Sequence, residues 1–212
     1  MTVAYRFHGS DSLYVNLVKR YACNNGCLFC SKPGEPGTDN VYEKAAGTSL
    51  YLSESPRWFR VMGAIGKEIT KQDREVAVVG LGESLLNFDL VEHVVAAVKR
   101  CYDVRTRVDT NGLVSCWIDD PVERLDEAGL DEIRISLNAT SDEEYQRLCK
   151  PRVNRAFEAL VEFVRECVVS SIDTKVSFVS GFEDRRVEEL VEFAQSLGVR
   201  EEDVILRPYV HL

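Results

Sequence analysis

The 212-residue chain contains no apolar run near the ~20 residues that a membrane-spanning helix requires. Met1 is followed by no apolar leader. Membrane insertion and export are therefore not expected. Basic residues are also scarce: 26 Lys and Arg face 35 Asp and Glu, for a net charge of −9. A chain without a basic footprint is not expected to bind nucleic acid in general, although a local basic pocket stays open. The acid concentrates in segments 119–127 and 184–195, which read as solvated faces. There is no internal repeat, no low-complexity tract and no second CxxC pair. Seven cysteines are an odd number, and the chain is too long for a disulfide scaffold. A reducing cytoplasm, with thiolates used as metal ligands, is the expected setting.

Present instead is enough chain for one domain over residues 1–212 with a substantial core, at an ordinary 45% hydrophobic content. Segments 13–18, 75–79, 104–110, 132–137, 174–179 and 204–206 read as strands. Segments 56–70, 89–100, 121–128, 142–149, 155–169 and 186–197 carry apolar residues at helical spacing. Asp119 or Asp120 before Pro121 starts a helix, and Gly129 and Gly198 stop helices. The one long loop-like stretch is 31–47. Strand and helix alternate six times with the last helix missing, which predicts α/β architecture and a parallel sheet with right-handed crossovers.

Parallel strands covered on both faces are almost wholly apolar; these are not. Ile133, Ile135 and Leu137 oppose Arg134, Ser136 and Asn138. Val104, Thr106 and Val108 oppose Arg105, Arg107 and Asp109. The split recurs as Val176 and Phe178 against Lys175 and Ser177, as Val204 and Leu206 against Ile205 and Arg207, and as Leu13, Val15 and Leu17 against Tyr14 and Asn16. With helices on the apolar faces, the polar faces share an interior, and a polar interior needs a polar ligand or water. The prediction is an open partial (β/α)6 TIM-like barrel around a cavity, spanning about 12–209. The alternative is a sheet with one face in solvent.

Chemistry gathers after the strands. Cys23-Asn24-Asn25-Gly26-Cys27-Leu28-Phe29-Cys30 places three cysteines in eight residues, within a loop of about 19–47. Such a loop can wrap three corners of an iron–sulfur cube and leave the fourth iron without a protein ligand. Zinc is the competing reading, with a fourth ligand from His8, His93, His211 or a distant cysteine, since Cys101, Cys116, Cys149 and Cys167 stand apart. Gly80-Leu81-Gly82-Glu83-Ser84 follows the second strand, Asp109-Thr110-Asn111-Gly112 the third, and Ser136-Leu137-Asn138-Ala139 ends the fourth. Carboxyl ends of parallel strands are where ligands gather.

The cysteine spacing, the aromatic before the last cysteine and these strand-end motifs resemble the radical S-adenosylmethionine (SAM) enzymes over nearly the whole chain. Gly80–Glu83, Thr110-Asn111-Gly112-Leu113, Ser136–Ala139, Tyr145 and Leu148-Cys149-Lys150-Pro151 are most similar to the TatD-family-associated members. The resemblance implies that Cys23, Cys27 and Cys30 ligate three irons of a [4Fe–4S] cluster whose fourth iron chelates SAM. It implies that Phe29 packs near cluster and adenine, and that Gly80, Gly82 and Glu83 match a GGE motif holding the methionine ammonium. Leu81 and Ser84 depart from that motif. Ser136 and Asn138 match ribose-binding positions, and Asn111 is a further candidate for SAM or substrate.

The resemblance further implies reductive cleavage of SAM to a 5′-deoxyadenosyl radical that abstracts hydrogen, with a flavodoxin- or ferredoxin-like protein as electron donor. A TatD-type metal-dependent hydrolase is an expected functional neighbour. The interior cations Arg105, Arg107, Arg134, Lys175 and Arg207 exceed what SAM requires. Arg134 or Lys175 suits its carboxylate, and the others point to an anionic small-molecule substrate or pair with Asp109 and nearby acids. Cys149 is a candidate catalytic thiol at the rim. Other readings are an activating enzyme that places a radical on a partner protein, prompted by the Asp109–Gly112 string, and a non-catalytic Fe–S or zinc protein. No cysteine-rich extension follows the sixth strand, which argues against peptide-maturation enzymes that carry auxiliary clusters.

Overall fold

Alternation along the strands sets the architecture. Side chains two apart share a sheet face, and in the computed structural model, which describes residues 2–30, 32 and 40–209, the apolar sets turn outward under helices. The strands are β1 (Ala4–Tyr5), β2 (Ser12–Val15), β3 (Glu75–Val78), β4 (Arg105–Thr110), β5 (Glu132–Ser136), β6 (Asp173–Ser180) and β7 (Val204–Pro208). They pair in chain order into one sheet. β1 is antiparallel to β2 and every other pair is parallel. β1 and β7 do not pair, so the curved sheet stays open, as expected of a partial barrel.

The connecting helices are α1 (Val41–Ala46), α2 (Trp58–Glu68), α3 (Phe88–Cys101), α4 (Pro121–Glu127), α5 (Asp142–Cys149), α6 (Ala156–Val169) and α7 (Val187–Ser196). Val108, Ile133, Ile135, Val176 and Phe178 are wholly buried on the outer face, together with Leu160, Phe163 and Val164 of α6. Each such side chain contributes about 1.5–3 kcal/mol by leaving water.

Four local details differ from the expectation. The two-residue β1 carries no periodicity of its own and exists by pairing with β2. The stretch 31–47 contains α1, because the Asn40 side chain accepts from the Tyr42 and Glu43 amides at 2.9 and 3.3 Å and Gly47 closes the helix in the left-handed region. Asp120 precedes Pro121 in a left-handed conformation and makes no side-chain cap, so proline alone marks that helix start. On β7 the alternation is weak. Val204 is half-buried and Leu206 exposed, since no helix follows among the described residues to cover that face.

Candidate active site around the cysteine loop

Arg20 and Tyr21 take consecutive left-handed conformations and swing the chain from β2 into the cysteine loop. Backbone bonds then fasten the loop to the end of α5. The Gly26 amide donates to Cys149 O and the Leu28 amide to Leu148 O, both at 2.9 Å, and the Arg152 amide to Asn24 O at 2.8 Å. Inside, Asn25 Nδ2 donates to the Tyr145 hydroxyl at 2.9 Å in a buried contact. Leu148-Cys149-Lys150-Pro151 thus has a physical role as the clamp on the loop. Asn24 Nδ2 and Asn25 Oδ1 are buried without partners, so the loop holds polar capacity that the protein does not itself satisfy.

Cys23, Cys27 and Cys30 all line one cavity of about 450 Å³. Cys23 accepts from the Asn25 amide at 3.4 Å and from Asn111 Nδ2 at 3.7 Å, and burial pushes its thiol up to about 11. A hydrogen bond from the Cys149 thiol holds Cys27 below the usual thiol range and drives Cys149 above it. Cys149 itself is fully buried in the core and does not line the cavity. The expectation of a rim thiol is corrected: the α5 helix end turns Cys149 inward, behind Cys27. Among the described residues, no three His, Cys, Asp or Glu side chains gather as ligands of a single metal ion. His211 lies outside the described residues. Three thiols lining one cavity beside orphaned asparagine groups fit the donor set of an iron–sulfur cluster.

The glycines after β3 serve the loop as well as the cavity. A side chain on Gly82, at φ +137°, would run into the Ala22 carbonyl, and one on Gly80 would lie 2.5 Å from Asn16 Oδ1. Their absence of side chains seats the end of β3 against the cysteine loop, and both residues also line the cavity. Glu83 is 2% exposed. Its carboxylate accepts from the Leu85 amide at 2.9 Å, the Thr110 hydroxyl at 2.8 Å and the Asn111 amide at 2.7 Å. Burial pushes its pKa up even against those bonds. Glu83 therefore laces β3 to β4, and Asn111 carries the lacing on by donating to Asn24 Oδ1 at 2.6 Å.

On the opposite wall the Asn138 backbone is left-handed, at φ 59°. Its side-chain oxygen accepts from the Val179 amide at 3.2 Å, which joins the ends of β5 and β6. Ser136 Oγ accepts from Arg207 at 3.3 Å. Phe29 packs edge-on to Phe182, with ring centroids 5.7 Å apart, while facing the cavity.

Charge divides the interior into two levels. At the amino-terminal ends of the strands Glu132, 4% exposed on its side chain, meets Arg134 at 2.6 Å, Lys175 at 2.9 Å and Arg105 at 3.6 Å. Arg105 also reaches Asp173 at 3.2 Å. Burial acts to raise Glu132, but Lys175 and Arg134 outweigh it and hold the carboxyl below its usual range. Arg105 and Lys175 consequently do not line the cavity. Their expected role toward SAM or substrate is corrected, because the buried Glu132 and Asp173 draw both cations to the floor.

Above the floor, Arg107 lies over the Tyr14 ring, 2.6 Å from Glu75 and 2.9 Å from Asp109. Asp109 faces the cavity with its side chain 36% exposed. Enclosure pushes its pKa up, while Arg107, Arg134 and Arg207 pull it down. Arg207 alone of the five interior cations has no ion pair among the described residues. Sequence reading names Asp109 within its strand-end motif and as a cation partner, but does not single out Glu132 or Glu75, nor the aromatic wall of Tyr5, Phe7 and Tyr14, with Phe7 and Tyr14 4.8 Å apart. Glu132 was within reach of it, two residues before Arg134 on the same face. The wall was not, because β1 contributes to it.

An open α/β barrel with a three-thiol loop at the carboxyl end of its first parallel strand defines a class of cofactor-dependent enzyme, and the comparisons agree. The pattern of the Radical SAM superfamily matches residues 18–197, and the chain belongs to that superfamily. A probable GTP 3′,8-cyclase of Saccharolobus islandicus (strain Y.N.15.51) is 29% identical over 183 residues, 85% of this chain and 52% of the relative. One from Thermococcus kodakarensis is 27% identical over 178 residues, covering 83% and 51%. The chain thus spans about half the length of the curated relatives it matches. Among solved structures, the FeFe-hydrogenase maturase HydG from Carboxydothermus hydrogenoformans superposes with TM-score 0.65 at 14% identity, covering 93% of this chain and 44% of that one. Native anSMEcpe with bound AdoMet superposes with TM-score 0.63 at 14% identity, covering 94% and 51%.

Residues 18–197 thus form a radical SAM domain, with SAM and a [4Fe–4S] cluster as its cofactors. No helix among the described residues is long and apolar enough to cross a membrane.

Proposed function

We propose that the chain, working as a single domain, acts on an anionic small molecule, with nucleotides as the first class to test. The observation that carries this reading is Arg207, a guanidinium at the cavity that forms no ion pair among the described residues, while Arg105, Arg107, Arg134 and Lys175 are all engaged. An unpaired guanidinium is the natural fork for a carboxylate or phosphate. The relatives named as probable GTP 3′,8-cyclases support a nucleotide.

In this reading Cys23, Cys27 and Cys30 hold the cluster. Gly80 and Gly82 present backbone to the methionine end of SAM, Arg134 its carboxylate partner, Ser136 and Asn138 its ribose contacts, and Phe29 its adenine packing. When bound, cluster and SAM supply one-electron cleavage of the sulfonium and a carbon radical able to take hydrogen from the substrate. The chain's residues do the rest. Tyr5, Phe7 and Tyr14 exclude water from one wall, Glu83 and Asn111 fix the loop against β4, and Asp109 stands ready to accept a hydrogen bond from substrate, or to hold a proton, beside Arg207. The donor is a flavodoxin- or ferredoxin-like protein. The match of Gly80–Glu83 and Leu148–Pro151 to TatD-associated members supports a TatD-type hydrolase as functional neighbour.

The test incubates reduced enzyme with SAM and deuterated metabolites, GTP and other nucleotides first, and follows deuterium into 5′-deoxyadenosine. Transfer from an anionic compound, lost in Arg207→Ala while SAM cleavage persists, is expected. Transfer from uncharged compounds only would sink the proposal.

A further inference from the structure

Beside the cysteine loop, adjoining the cavity at Cys23 and Lys32, Arg20, Lys32 and Arg152 line a surface groove of about 340 Å³ with Cys23, Asn24 and the exposed Leu86. Two more cations border it. Lys19 precedes Arg20, and Lys150 packs beside Gly26 of the loop. No Asp or Glu lines the groove, and none of these five cations forms an ion pair among the described residues. Several other surface cations are tied to acids: Arg124 to Asp89 and Glu92, Arg147 to Glu183, Arg186 to Glu189. The groove instead gathers three cations with no acid among its described lining residues, on a chain of net charge −9 and against the cysteine loop.

Cys23 and Lys32 belong to both, lining the inner cavity and the groove. The cationic surface thus directly adjoins the first cysteine of the loop. We propose that this groove is the docking surface for an acidic one-electron carrier protein, an inference that rests on the reading that the cysteine loop holds the cluster. Charge complementarity of this kind raises encounter rates and fixes orientation more than it adds affinity. A small patch with one apolar contact, Leu86, and a cationic border matches the limited interfaces of redox encounters, below about 1,200 Å². An extended nucleic acid fits less well on a chain of net charge −9, since its affinity depends on phosphates neutralised along its length.

The experiment compares wild type with Arg20→Glu/Arg152→Glu, both outside the cavity, and with Arg152→Glu alone should the double variant fold poorly. Each reconstituted full chain is driven by a reduced flavodoxin or by photoreduced 5-deazariboflavin, a small uncharged reductant, and 5′-deoxyadenosine formation from SAM is timed. The flavodoxin-driven rate is expected to fall roughly tenfold in the double variant and to fall with added salt in wild type. The deazariboflavin rate is expected to stay within about twofold. Equal flavodoxin rates in variant and wild type would overturn the docking surface, and so would equal losses with both reductants. Loss of binding to a short RNA hairpin with the flavodoxin rate intact would overturn it in favour of nucleic acid. Failure of wild type with both reductants would overturn the reading of the cysteine loop and the docking surface with it.

Discussion

The floor and the mouth of this barrel are built from the same strands and similar residues, yet they stand in opposite electrostatic states. At the floor, Glu132 and Asp173 take up Arg105, Lys175 and one edge of Arg134, so every charge there has an opposite within reach. At the mouth, among the described residues, Arg207 forms no ion pair, though Asp109 feels its charge, and Asn24 Nδ2 and Asn25 Oδ1 have no partner. Saturated polar groups bring rigidity, and unsatisfied ones bring binding capacity. The same chemistry that would recognise a ligand at one level closes the barrel at the other.

The largest expected effect comes from breaking the floor. Glu132→Gln leaves Lys175, Arg134 and Arg105 facing one another without the central carboxylate. Because those cations keep some solvent, the cost should fall at the low end for a broken buried pair, about 3 kcal/mol. Urea unfolding near neutral pH measures it. The pH dependence has a definite sign. Glu132 is held below its ordinary 4.5 in the folded state, so its stabilisation is complete above that value and is lost as pH falls through the lower folded pKa. Wild type should lose that increment on acidification, and Glu132→Gln should not.

A smaller effect separates mouth from floor directly. Arg207→Ala should lower substrate-dependent turnover about 10- to 100-fold, the loss of one charge-assisted hydrogen bond, with stability nearly unchanged. Arg105→Ala should leave turnover unaltered and cost less than about 1 kcal/mol, since its side chain is 53% exposed. Steady-state kinetics beside denaturation curves reads both. Equal kinetic losses in the two variants would erase the distinction between the levels.

The smallest expected effect tests the clamp on the cysteine loop. Tyr145→Phe removes the acceptor for Asn25 Nδ2 and should cost about 1 kcal/mol. Slower hydrogen exchange recovery is not the readout; faster exchange of the Gly26 and Leu28 amides, which bond to the end of α5, is. Unchanged exchange would show that the backbone bonds suffice to hold the loop.

Much of this was legible in the sequence because it is local. Helices α2 to α7 follow from apolar spacing, and the inward polar faces follow from a period of two. The cysteine triad needs only eight consecutive residues. What escaped detection depends on neighbours far away in the chain. β1 is two residues long and is defined by its partner, and α1 is set by the Asn40 cap inside a stretch whose composition reads as loop. The corrected roles of Arg105, Lys175 and Cys149 have the same origin.

The sequence by itself determined that three thiolates share one loop, that polar side chains face inward, and that five cations lie on that face. Only the tertiary structure decided which of those cations remain available. In a parallel sheet register sets which charges lie on neighbouring rows, and reach decides which of them pair, as Glu132 of β5 with Lys175 of β6 and Glu75 of β3 with Arg107 of β4. A residue's place in its own strand fixes the direction it points, whereas its partner is fixed by strands that lie tens of residues away.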